Sequence, residues 1–107
     1  MRPAIHPGEI LAEELAALEV TPTELARQLK VPANRITQII QGKRSISGDT
    51  ALRLGHWFGT RAQFWLNLQS AYDIRLAARH AGTEIARLPM RAKLGTRARR
   101  TGERKFG

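Results

Sequence analysis

The chain has 107 residues, of which 42% are hydrophobic, and this allows one folded domain with one modest core. Lys and Arg number 18 against 9 Asp and Glu, and the net charge of +9 favours a polyanionic partner. The lack of cysteine excludes disulfides, thiolate metal sites and a cysteine nucleophile. We see neither an apolar run of the roughly 18 residues that span a membrane nor a signal-peptide core, and therefore expect a cytoplasmic protein.

The first two predicted helices are short. The first covers residues 7–18, and its apolar stripe repeats at i, i+4 and i+7. The stripe consists of Leu11, Leu15 and Leu18. His6, directly before this helix, is expected to cap it. The second helix covers residues 22–29, and Thr21 and Glu24 stand before and within it at the spacing of a capping box.

The third predicted helix covers residues 32–41 and follows the second after a tight turn. Its buried side consists of Ile36, Ile39 and Ile40. Gly42 suits the left-handed backbone conformation that ends a helix. After a polar loop over residues 43–47, the fourth helix covers residues 48–58, with Ser47 as its N-cap. Two short helices joined by a tight turn indicate a helix-turn-helix.

The fifth predicted helix begins at Thr60, which has the capping-box spacing with Gln63, and runs to about Ala81. Gly82 is its predicted stop. Aromatic side chains are concentrated around this helix, and we expect them in the core or a dimer contact rather than in a ligand pocket. They are Trp57, Phe58, Phe64, Trp65 and Tyr72. Since no strand pattern is visible, the predicted fold is all-α, with five helices in one domain.

The end of the chain has a different composition. Residues 93–107 hold six Lys or Arg and one Glu, and their only sizeable apolar side chains are Leu94 and Phe106. Burial within such a segment cannot offset the entropy lost on ordering it. We therefore predict a folded domain over residues 1–82 and a basic, disordered tail over residues 83–107, which binds nucleic acid without sequence preference.

The exposed side of the third helix has side chains that can read DNA bases. Arg bonds guanine O6 and N7, and Asn bonds adenine N6 and N7, each through two hydrogen bonds. The predicted base-reading residues are Asn34, Arg35, Thr37, Gln38 and Gln41. Contacts with the DNA backbone are expected from Thr23, Gln28, Lys43, Arg44, Ser45 and Ser47. The simpler alternative is that these are solvated polar side chains.

Patterns that would indicate catalysis are missing from the sequence. The three histidines, His6, His56 and His80, do not cluster, so no metal site is expected. Ser45 and Ser47 lack the G-x-S-x-G context of a nucleophile, and no glycine-rich phosphate loop follows a strand. We predict no cofactor and no enzymatic activity.

Three motifs resemble one family of regulators. They are HPGEIL, LxxxLxVPxNRIxxIIxGKRxIxxDTALRL and FGTxxxFWLNLQxxYDI, which together span about residues 5–77. The chain resembles the HigA/VapI group of addiction-module antitoxins, which carry an Xre-type, lambda-repressor-like helix-turn-helix. The last motif is the discriminating one, because generic Xre regulators do not carry it. Three features depart from the pattern: Lys30 occupies a turn position that is often Gly, Pro32 replaces a Ser or Thr cap, and the basic tail is additional.

The resemblance implies dimeric binding to an operator, repression of the protein's own operon and neutralisation of an adjacently encoded, mRNA-cleaving toxin. RNA-cleaving toxins are generally basic, so the acidic first helix could meet the toxin through Glu9, Glu13 and Glu14. The tail is a competing candidate for that contact. The alternatives are a stand-alone Xre-type repressor without a toxin, an RNA-processing or other hydrolytic enzyme, and a nonspecific nucleic-acid packing protein.

Overall fold

The computed structural model describes residues 4–91. Within these residues the chain forms α-helices and no strand, which confirms the predicted all-α class. The helices are α1 (Pro7–Leu18), α2 (Pro22–Leu29), α3 (Ala33–Ile40), α4 (Gly48–Phe58) and α5 (Ala62–Ala86). The bounds of α1, α2 and α4 agree with the prediction, and α3 is shorter by one residue at each end. The predicted tail falls mostly on residues 92–107, which lie outside the described residues.

His6 fixes the start of α1, as predicted. Its Nδ1 accepts the Gly8 N–H at 2.9 Å, and the Glu9 carboxylate accepts the His6 N–H at 3.3 Å, which completes a capping box. The imidazole also packs edge-on against the ring of Tyr72 in α5, with the ring centroids 4.8 Å apart. One buried side chain therefore joins the start of α1 to α5.

Only half of the predicted capping box forms at α2. The Thr21 hydroxyl accepts the Glu24 N–H at 3.1 Å. The Glu24 carboxylate turns instead towards Arg27 and Gln28, whose hydrogen bonds lower its pKa to about 2. Lys30 follows the helix as its C-cap, and its φ of 59° places a non-glycine residue in the left-handed region.

The core is formed by side chains from all five helices and from the loop between α3 and α4. It consists of Leu11, Leu15, Leu25, Ala26, Leu29, Ile36, Ile39, Ile46, Ala51, Leu54 and Trp65. The helix pairs with the most extensive contact are α4 with α5 and α2 with α3. Leu18, predicted in the apolar stripe of α1, is half exposed, because it lies in the last turn of the helix.

A buried hydrogen bond holds the loop between α3 and α4. Ile46 is the apolar member of this loop, and its N–H donates to Gln69 Oε1 at 2.8 Å. The Gln69 Nε2 donates in turn to Asp73 at 3.0 Å, which fixes the orientation of the amide. The end of α3 and the start of α4 are thereby held against α5.

Both predicted ends of α5 were wrong. The helix begins at Ala62 after Arg61, which makes no side-chain cap, and the predicted Thr60–Gln63 capping box does not form. Gln63 bonds Asn67 one turn further on instead. The helix also continues through Gly82 to Ala86, because Gly82 does not adopt a left-handed conformation there. Over residues 4–91, no helix is long and apolar enough to cross a bilayer.

The contact of α1 with α3 depends on the missing side chain of Gly8. A Cβ on Gly8 would lie 1.9 Å from the carbonyl oxygen of Ile39, a backbone atom that cannot move aside cheaply. Gly8→Ala should lower the free energy of unfolding by about 3 kcal/mol, measured by urea denaturation. Gly48→Ala is the matched control, because its Cβ would meet no atom within 4 Å. Equal stability of the two variants would contradict this account of the α1–α3 contact.

Stability should depend on the protonation of His6. Burial lowers the pKa of His6, with the charges of Glu9 and Asp73 opposing the shift. Because the folded state favours the neutral ring, this contribution is present above the ordinary pKa of about 6.5 and is lost as pH falls through the lower, folded-state value. We expect Tm to fall between pH 7 and pH 5, and less so in His6→Asn, which retains a cap acceptor but does not titrate. An unchanged slope in that variant would contradict the assignment.

Candidate nucleic-acid interface

The polar side of α3 is the first part of the candidate interface. Asn34, in the first turn, and Gln41, directly after the helix, are exposed, whereas Thr37 and Gln38 are partly buried. The Thr37 hydroxyl lies 3.3 Å from the Asn34 carbonyl oxygen, to which it donates a hydrogen bond within the helix. Asn34 and Gln41 therefore present the most accessible amide groups of the five predicted base readers.

Arg35 belongs to a chain of bonds that joins three helices. Its NH1 donates to Asp49 Oδ2 at 3.0 Å, and Arg53 Nε donates to the same oxygen at 2.9 Å. Arg53 NH1 then reaches the carbonyl oxygen of Leu29 at the end of α2, at 2.7 Å. The hydrogen bond from Arg53, and to a smaller extent that from Arg35, lowers the pKa of Asp49. Arg35 is thus held by α4 while it projects from α3.

Gln38 and Arg44 form a second connection, between α3 and the loop that follows it. Arg44 Nε donates to Gln38 Oε1 at 3.0 Å. This bond uses the Nε–H of the Arg44 side chain, which is otherwise exposed. The loop backbone is also fixed here, because the Lys43 N–H donates to the Gln38 carbonyl oxygen at 2.8 Å.

A cationic cleft of about 410 Å³ lies beside α3, at the start of α4. Four cationic side chains and one carboxylate line it, together with two serines. These residues are Lys30, Arg35, Arg44, Arg53, Asp49, Ser45 and Ser47. The hydroxyl of Ser47 caps α4 by accepting the Thr50 N–H at 3.3 Å, and the side chain remains exposed. Positive charge at a helix N-terminus is suited to binding a phosphate group.

Two further predicted backbone contacts lie on α2. Thr23 is exposed in the first turn of the helix. Gln28 has a structural role that the sequence did not reveal, since its Oε1 accepts the indole N–H of Trp57 at 2.7 Å and its Nε2 donates to Glu24. The Gln28 amide therefore connects α2 to α4 and retains one N–H for another partner.

The acidic residues Glu9, Glu13 and Glu14 are exposed on α1. Glu9 also belongs to the capping box of that helix. Glu14 borders a small cleft of about 180 Å³ between α1 and the start of α5. The remaining lining of this cleft is mostly apolar and consists of Ile10, Phe58, Thr60, Phe64 and Trp65.

Three charged residues of the cationic cleft were not predicted from the sequence as site residues: Lys30, Asp49 and Arg53. A signal for two of them was present, because an acid and an arginine four residues apart on a helix commonly pair. The connection to Arg35 could not be found in this way, since Asp49 lies 14 residues further along the chain. In the described part of the chain, no group of three His, Asp or Glu side chains could hold a metal ion.

Comparison with known proteins gives a consistent result. No protein-family model matches the chain. Virulence-associated protein I of Dichelobacter nodosus is 51% identical over 76 residues, which are 70% of each chain. A solved structure of a HigA-family addiction-module antidote protein from Coxiella burnetii has a TM-score of 0.82 and 51% identity, over 83% of this chain and 98% of its own.

A third relative was solved together with DNA. It is the antitoxin HigA of Pseudomonas aeruginosa with the higBA promoter, with a TM-score of 0.81 and 44% identity, over 84% of this chain and 99% of its own. The similarity to these proteins extends over the helix-turn-helix and most of α5, and is not confined to the short motif that many regulators share.

Proposed function

The chain belongs to the HigA/VapI family of helix-turn-helix antitoxins, and we propose that it is the antitoxin of a type II toxin–antitoxin module. In this proposal it binds its own promoter as a sequence-specific repressor, and it binds and neutralises an mRNA-cleaving toxin. Both activities belong in the cytoplasm, where the DNA and the toxin are. The observation that carries the proposal is the position of the polar side of α3 next to a cleft lined by four cations.

We assign base reading to the exposed side of α3. Asn34 and Arg35 lie in its first turn, the end of a recognition helix that approaches base edges in helix-turn-helix proteins. Gln41 continues this surface at the other end. Thr37 and Gln38 complete the set, with methyl contact proposed for Thr37 and a groove contact supported by Arg44 for Gln38.

We assign phosphate binding to the cationic cleft and its surroundings. Phosphate contacts fix the register of a protein on the duplex, and hydroxyl groups, cationic side chains and helix N-termini supply them. The proposed residues are Thr23, Gln28, Lys30, Lys43, Arg44, Ser45, Ser47 and Arg53. Gln28 would use the one N–H that its contacts with Trp57 and Glu24 leave over.

We propose that α5 and the residues after it form a homodimer contact. Large apolar side chains are exposed along this part of the chain. They are Phe64, Ile74, Ile85, Leu88 and Met90. Exposed large apolar side chains concentrated in one part of a chain favour a protein interface there. A two-fold dimer would also present two α3 helices to the two halves of an inverted repeat.

For the toxin we retain the acidic residues Glu9, Glu13 and Glu14 as the proposed contact. Their carboxylates are exposed on α1, and the apolar cleft beside Glu14 offers a place for an apolar side chain of the partner. A basic toxin would meet complementary charge here. The competing site, the basic tail, lies outside the described residues.

The experiment that tests the function is co-expression with the product of the adjacent gene, followed by footprinting of the purified complex on the promoter. Recovery of a stable complex that protects the promoter supports the antitoxin. A protein that protects the promoter but has no toxin partner is the stand-alone repressor. Equal affinity for promoter and random duplex indicates nonspecific packing, and nuclease activity in chelator would identify an enzyme instead.

The footprint should show an inverted repeat bound by a dimer. Two recognition helices related by a two-fold axis reach major-groove sites that are about 34 Å apart, one turn of the duplex. Sedimentation of the complex with a promoter fragment should give two chains per site. Saturation of a single half-site by one chain would refute the dimer.

Arg35 and Arg44 should differ in their effects on DNA binding. Arg35→Ala should cost about 1–3 kcal/mol on the promoter and relax the preference at one base position, because Arg35 is assigned to a base. Arg44→Ala should weaken binding to all DNA sequences alike, because Arg44 is assigned to a phosphate. It should also lower the slope of log affinity against log salt concentration by about one unit. Titrations of promoter and random duplex at two salt concentrations distinguish the two, and equal losses on both duplexes for Arg35→Ala would remove Arg35 from base reading.

A further inference from the structure

Asp49 is the acidic member of the cationic cleft, and it bonds two of the arginines that line it. Its Oδ2 accepts Arg35 NH1 at 3.0 Å and Arg53 Nε at 2.9 Å. Arg53 is anchored in turn on the carbonyl oxygen of Leu29. A continuous path of hydrogen bonds therefore runs from the end of α2, through α4, to the guanidinium group on α3.

The bond to Asp49 determines which edge of Arg35 is available. A guanidinium group has five N–H donors, and the carboxylate takes one of the two on NH1. Among the described residues, no hydrogen bond occupies the Nε–NH2 edge of Arg35. Its two parallel donors match the spacing of guanine O6 and N7. Asp49 thus binds NH1 of Arg35, while the Nε and NH2 donors remain suited to a base.

Fold stability explains the bond between Asp49 and Arg35 poorly. The side chains of Arg35 and Asp49 are 28% and 54% exposed, and ion pairs at such exposure contribute little to stability. A carboxylate among cations that face phosphates also opposes DNA binding of every sequence. Asp49 contributes modestly to stability in the first turn of α4, where its charge suits the helix N-terminus, and its bond to Arg35 has the separate effect of positioning that guanidinium group.

We propose that Asp49 is a specificity-determining positioning residue, which holds the Arg35 guanidinium in the orientation that reads a guanine and keeps it from binding phosphates. This rests on the proposed function, that α3 reads the promoter. Arginine has many rotamers, so an untethered Arg35 would lose more entropy on reaching the base and would gain access to the backbone instead. The hydrogen bond to Asp49 thereby directs Arg35 to a base and away from phosphates.

The test compares Asp49→Asn with Glu19→Gln, which removes one negative charge from an exposed residue at the end of α1, away from the cleft. Affinities are measured for the promoter, for promoters with each guanine pair substituted, and for random duplex. In Asp49→Asn, the ratio of affinities for the promoter and for the promoter substituted at one guanine pair should fall about tenfold. Its affinity for random duplex should rise roughly twofold. Glu19→Gln should leave the discrimination unchanged.

Two additional variants make the outcome decisive. Asp49→Ser retains a residue suited to a helix start and removes the carboxylate, so it should reproduce Asp49→Asn if folding is intact by thermal unfolding. The double variant, Asp49→Asn with Arg35→Ala, should lose no more discrimination at that guanine pair than Arg35→Ala alone, because both substitutions act on the same contact. Retained discrimination in the Asp49 variants, or equal losses on promoter and random duplex, would overturn the proposal. A parent protein without promoter preference would overturn the proposed function itself.

Discussion

The hydrogen bond from the buried Ile46 amide to Gln69 is the constraint on which the arrangement of α3 and α4 depends. Residues 44–47 lie between the last turn of α3 and the start of α4, outside both helices, so burying the Ile46 side chain takes its amide out of water. An unpaired amide would cost about 1–3 kcal/mol, and Gln69 removes that cost. Asp73 orients the Gln69 amide, one turn along α5. In the same turn, Tyr72 contacts the ring of His6. One turn of α5 therefore contacts and positions both the loop after α3 and the start of α1.

This constraint accounts for the position of the cationic cleft. With the loop held against α5, the first turn of α4 lies beside α3, and Asp49 can bond Arg35 across the two helices. Coulombic repulsion among the cations of the cleft is reduced by that one carboxylate, whose pKa is lowered chiefly by Arg53. The proposed phosphate contacts and the proposed base contact thus share a single electrostatic system. Replacing Asp49 should therefore strengthen the proposed phosphate contacts and weaken the proposed base contact.

The sequence predicted those features that are decided within a few residues. The starts of α1, α2 and α4 were correct because His6, Thr21 and Ser47 provide local caps. The start of α5 was wrong because Thr60 and Gln63 have the right spacing but do not adopt the cap geometry. Contacts between distant residues were not predictable, since neither periodicity nor spacing reports them. The bond of Arg53 to Leu29 spans 24 positions, and that of Trp57 to Gln28 spans 29. The candidate site was therefore found as a list of exposed residues, without the bonds that connect them.

The central claim is that α3 reads promoter DNA through an arginine held by Asp49. A crystal structure of the protein with its promoter fragment tests this most directly, by the distances from the Arg35 nitrogens to their partners. The account predicts Arg35 NH1 within hydrogen-bond distance of Asp49 and its Nε and NH2 within about 3 Å of guanine O6 and N7. A complex in which Arg35 leaves Asp49 for a phosphate, or in which α3 lies outside the major groove, would contradict it.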